Sequence, residues 1–133
     1  MFKSLSGGRF GDVLKVRSSG RNFQTDAARI GSIARSIETA LQTSRIELNG
    51  LNRRLNDVIA RTAVTIGNDT DEYLDREPTN TGLQNRLNRE IADGEQRLRE
   101  LETNIDHFNS LKAVLATRFP DHADTIAAVE HQR

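Results

Sequence analysis

Two long runs of this chain repeat their apolar residues at alternating steps of four and three, and few folds can use that repeat. From Asp26 to about Ile66 one series reads Ile30, Ile37, Ser44, Leu51, Val58 and Thr65. The interleaved series reads Ala34, Leu41, Leu48, Leu55 and Thr62. A seven-residue period held without a phase break puts these side chains on one narrow stripe of an α-helix. Gly50 weakens the run only from an outer position. A second run carries Leu87, Gly94, Leu101, Phe108 and Leu115, interleaved with Ile91, Leu98, Ile105, Lys112 and Phe119.

The two stripes also fit one another. Laid antiparallel, with facing residue numbers adding to a single constant, each position of one series meets the other series of the second helix. Leu51 then faces Leu98, Leu48 faces Leu101, Leu41 faces Phe108 and Ile30 faces Phe119. Weak positions find large mates: Gly94 faces Leu55, Ser44 faces Ile105 and Thr62 faces Leu87. Lys112, opposite Ile37, interrupts the series, and a slight rotation would bring Leu111 in to replace it. The expected fold is all-α: a long antiparallel two-helix coiled-coil hairpin, with seam residues Leu41, Leu48, Leu51, Leu55, Leu98, Leu101, Ile105 and Phe108. Composition agrees, because 35% apolar and 29% charged residues with no Trp suit narrow seams better than a broad core.

Local signals set the boundaries. Thr25 or Asp26 can cap the first helix and Gly67-Asn68 can stop it, which gives a helix over about 26–66. Thr81 with Gln84 has capping-box spacing for a second helix over about 82–119, ended by Pro120. The turn at 67–81 is long for a helix connection, so the first helix running past Gly67 is an alternative. Residues 120–133 form a short C-terminal helix or tail, starting near Asp121 and Asp124 and running through Val129. Residues 1–25 contain Gly7-Gly8, Gly11 and Gly20 and no helical period, which predicts a flexible arm.

Charge divides the chain although its formal net charge is zero. The arm holds Lys3, Arg9, Lys15, Arg17 and Arg21 against Asp12 alone, while the turn holds Asp69, Asp71, Glu72, Asp75 and Glu77 against Arg76. The basic arm with its Phe residues is therefore the expected contact element, through Phe2, Arg9, Phe10, Lys15, Arg17, Arg21 and Phe23. The acidic turn of another copy is its electrostatic mate. Ile33, Ile46 and Ile59, with Leu111 and Val114, lie off the seam and suggest a second, partner-facing stripe.

Chemistry finds little support. With no Cys there is no thiolate ligand or nucleophile. His107, His122 and His131 lack the spacing of a helical zinc site, and His122 and His131 read as exposed polar residues. The acidic turn fails as a calcium loop, with Leu74 where the sixth position needs Gly and Asn80 where the twelfth needs Glu. Gly7-Gly8-Arg9-Phe10-Gly11 lacks the Lys-Ser/Thr of a phosphate loop. No catalytic residues, metal, cofactor or small-molecule substrate are expected.

The function expected from these residues is a non-enzymatic structural or adaptor subunit of a larger protein assembly, using the hairpin for packing and the arm for partner or self contacts. The alternatives are a nucleic-acid-associated protein that binds phosphates through the arm, or a helical chaperone. No opening apolar run and no stretch of ~18 apolar residues occurs, so neither a signal peptide nor a membrane span is expected. The expected location is the cytoplasm or an assembly.

Overall fold

In the computed structural model, backbone is described for residues 18–71 and 78–131, and side chains for 18–64 and 81–131. Helix α1 runs Ser19–Asp71 and α2 runs Pro78–Arg118. A 3-10 turn at Pro120–His122 leads into α3, Ala123–Val129. The two long helices pack against each other, and no strand occurs among the described residues.

Helix α1 starts earlier than its capping signals suggest. Ser18 is the cap, with its Oγ accepting from the Arg21 N–H at 3.3 Å. Thr25 is already inside the helix, and its hydroxyl donates to the Arg21 carbonyl four residues back at 3.0 Å. Arg21 and Phe23 therefore belong to α1 and not to an arm. The helix also passes through Gly67-Asn68, because a glycine lowers helix propensity by only ~1 kcal/mol and does not forbid the conformation. Helix α2 begins at Pro78, a residue with the fixed φ of a first turn, ahead of the Thr81–Gln84 signal.

The chain divides into two compact units: Met1–Ser36 with Leu115–Arg133, and Ile37–Val114. The second is the hairpin unit. Every seam position from Ile37 to Thr62 and from Leu87 to Lys112 is buried or half-buried. Leu41, Leu55 and Leu101 are buried, while Leu48, Leu51, Leu98, Ile105 and Phe108 are half-buried. Complete burial of a leucine side chain stabilises by about 1.5–3 kcal/mol, so Leu41 and Leu101 are its strongest single contributors. The register is read directly at Gly94, where an added Cβ would lie 3.2 Å from Leu55 Cδ1. Thr62 is buried, and its hydroxyl donates to the Val58 carbonyl at 2.8 Å.

Lys112 keeps its seam position, and Leu111, which a rotated seam would have brought in, is 53% exposed. Its ammonium lies 3.4 Å from Glu38 Oε2, on the residue next to Ile37. Only 11% of the Glu38 side chain and 23% of the Lys112 side chain are exposed. Neutralisation across the helices thus replaces rotation of the seam. Such a polar layer fits one register and penalises its neighbours.

In the terminal unit α3 folds onto α1. Ile126 and Val129, three residues apart, are buried together with Ile30, Ala34 and Leu115. Gly31 is buried as well, and a Cβ there would meet Thr125 Cγ2 at 3.4 Å, ordinary van der Waals contact. The helix end at Arg118 follows from Pro120. Phe119, forced out of the helical region ahead of the proline, has φ −124° and ψ 65°. Its N–H still closes the last turn on the Leu115 carbonyl at 3.0 Å. Phe119 remains 42% exposed and shares a cavity with the buried Ile30, its expected mate.

Candidate contact site on the terminal unit

Four residues of α1 share one side of the helix, because Phe23, Asp26, Ile30 and Ile33 are separated by three, four and three positions. The departure of Phe119 from α2 and the tight turn after it bring two further rings to the same place. His122 is buried and stacks on Phe23, with ring centroids 4.4 Å apart and planes inclined by 26°. His122 Nδ1 is buried with no hydrogen-bond partner. The sequence expectation of an exposed histidine is thus overturned: His122 sits in the turn that leads into α3 and is covered by Phe23.

Asp26, Arg29, Ile30, Ile33, Phe119 and His122 line a cavity of about 280 Å³. Its apolar wall is continuous with exposed apolar surface, since Phe23 and Ile33 are each 49% exposed. At the rim Arg29 Nη1 donates to Asp26 Oδ1 at 3.2 Å, and both side chains are more than half exposed. Because that pair is solvated and local, both ions remain able to meet charges from outside. The arrangement suits an aliphatic or aromatic side chain flanked by one acid and one base.

Outside its seam the hairpin unit carries ion pairs together with exposed aliphatic side chains at Ile46, Ile59, Leu111 and Val114. Arg97 makes a two-pronged contact with Glu47, Nε to Oε2 at 2.8 Å and Nη2 to Oε1 at 3.1 Å. Its Nη1 also donates to Glu100 Oε1 at 3.1 Å. The hydrogen bonds from Arg97 hold the Glu47 carboxyl below the usual glutamate range, against a smaller opposing effect of burial. The same bond to Glu47 raises the Arg97 guanidinium. Ile46 and Ile59, 64% and 44% exposed, do not form one stripe. Thirteen positions turn the helix by ~220°, so they face different directions.

Of the expected contact residues, Phe2, Arg9, Phe10, Lys15 and Arg17 lie outside the described residues, as does most of the acidic turn. Arg21 is exposed in the first turn of α1, and Phe23 stacks on His122, which lines the cavity. Asp26, Arg29, Ile33, Phe119 and His122 were not singled out as a set by sequence reasoning. The helical spacing from Phe23 to Ile33 and the Ile126–Val129 pair were the available signals. Among the described residues no group of three or more His, Asp or Glu is placed to hold a metal ion, and no helix is long and apolar enough to cross a membrane. Comparison with protein-family models, with curated proteins and with solved structures returned no match.

Proposed function

We propose that this chain is a non-enzymatic structural or adaptor subunit of a larger protein assembly. The hairpin unit serves as the packing element, and the cavity face of the terminal unit serves as a contact surface, together with the N-terminal segment. The observation that carries this reading is a cluster of three side chains, each 42–49% exposed: Ile33 and Phe119 in the wall of the cavity, and Phe23 stacked on His122 of the same wall. Large apolar side chains gathered at one place on a surface mark interaction sites far more often than the same residues scattered singly.

The test is the mass of the purified chain in solution, by light scattering on a sizing column, joined to crosslinking in the cells that produce it. Self-assembly raises the mass above the 14.9 kDa of the monomer. An adaptor instead crosslinks stoichiometrically to one protein through the terminal unit. A chain that stays monomeric at every concentration and crosslinks to nothing refutes the reading.

A further inference from the structure

The occupant of the cavity face follows from its charges, and the inference rests on reading the chain as an assembly subunit. We propose that the face pairs with the same face of a second copy, the two α1 helices lying antiparallel about a two-fold axis between Asp26 and Arg29. A contact of this kind must be complementary to itself. This one is. Asp26 and Arg29 stand one turn apart on the rim, so rotation sets Asp26 against the second copy's Arg29 and Arg29 against its Asp26. Both ion pairs are attractive, and no like charges are opposed among the cavity residues.

The apolar groups obey the same symmetry. Phe23 lies three residues before Asp26 and Ile33 lies four after Arg29. At 1.5 Å per residue these are offsets of ~4.5 and ~6 Å on either side of the charged pair. The two-fold therefore brings Phe23 close to the second copy's Ile33, and each is 49% exposed beforehand. An Ile33 side chain from the second copy can enter the 280 Å³ cavity beside Phe119 and His122. A nucleic acid would meet Asp26 with its phosphates and leave the apolar wall wet, so it fits this face poorly.

The size of the face sets the strength expected. Two half-exposed phenylalanines and one isoleucine offer roughly 300 Å² of apolar surface, against the ~800 Å² per partner typical of a stable complex. The pairing is therefore reversible, and an assembly gains firmness by repeating it.

Sedimentation of the full chain across micromolar to millimolar concentrations tests the proposal, with far-ultraviolet circular dichroism to confirm that each variant is folded. The wild-type chain should show a monomer–dimer equilibrium. Ile33→Asp, Asp26→Arg and Arg29→Asp should each weaken it by about tenfold or more, since every change enters the contact twice. Asp26→Arg/Arg29→Asp should restore pairing, and so should mixing the Asp26→Arg chain with the Arg29→Asp chain, because both ion pairs are then re-formed. Association indifferent to all these changes overturns the proposal and leaves the assembly reading standing on another face. Loss of association without rescue by either route also overturns it. A chain monomeric throughout overturns it as well, and the assembly reading then survives only if crosslinking finds a different protein on the terminal unit.

Discussion

Gly50→Ala and Gly94→Ala exchange two mid-helix glycines for the same residue, and the difference between them measures the register of the hairpin. Alanine is favoured over glycine in a helix interior by about 0.8–1.0 kcal/mol. At Gly50 an added Cβ meets nothing within 4 Å, so the whole gain should appear as stability. At Gly94 it lies 3.2 Å from Leu55 Cδ1, 3.8 Å from Cδ2 and 3.9 Å from Cγ. Carbon atoms rest comfortably at roughly 3.5–4.0 Å, so Leu55 must retreat by a few tenths of an ångström. With only 7% of Leu55 exposed, retreat means leaving its rotamer well, at ~0.5–1.5 kcal/mol. That cancels the gain. Gly94→Ala should come out near neutral, about 1 kcal/mol less stable than Gly50→Ala.

A second variant turns the same contact around. Leu55→Ala alone should cost ~2–5 kcal/mol through the cavity it leaves. In Leu55→Ala/Gly94→Ala the new methyl enters that cavity, so the double variant should exceed the sum of the single effects by about 1 kcal/mol. Urea unfolding followed by circular dichroism reads all four free energies, provided the denaturant slopes agree. If Gly94→Ala stabilises as much as Gly50→Ala, or if the double is additive within ~0.3 kcal/mol, Leu55 does not lie opposite Gly94 and the register is wrong.

Lys112→Met puts a better seam residue opposite Ile37 but removes the cation 3.4 Å from a carboxylate that is only 11% exposed. We expect a net loss of ~1–2 kcal/mol by urea unfolding, recovered in Glu38→Gln/Lys112→Met, because breaking a buried pair costs more than replacing it whole. Glu47 is held below its ordinary pKa of 4.5 by Arg97, so its contribution is complete above that value and is lost as pH falls through the lower, folded value. In an acid titration of thermal stability, Glu47→Gln should flatten that part of the decline, and salt should weaken the difference. A decline identical in the two proteins at low salt would contradict the pair.

The hairpin was legible in the sequence because both helices repeat every seven residues and their repeats lock in one register. The contact of Gly94 with Leu55 follows from spacing alone, since a missing side chain and a large one share a layer. Lys112 was legible as the odd residue but not as a solved one. Its partner Glu38 sits beside the seam, and whether a charge is neutralised there depends on distances across two helices. Helix ends were read less well. Ser18 and Thr25 are both competent caps by type; Ser18 accepts the Arg21 N–H, while Thr25, already inside the helix, donates to the Arg21 carbonyl.

The cavity face was decided by tertiary structure. Phe23 and Ile33 share one helical face, but Phe119 and His122 lie about ninety residues further along, and no period links the two pairs. They meet because Pro120 ejects Phe119 from α2 and because α3 then buries Ile126 and Val129 as its apolar side is covered. A periodic stripe is a local property, set by 3.6 residues per turn and by what water expels, so the chain announces it residue by residue. A site assembled where one helix ends and another returns depends on the path of the backbone through space, and that path is fixed only once the long-range contacts have formed.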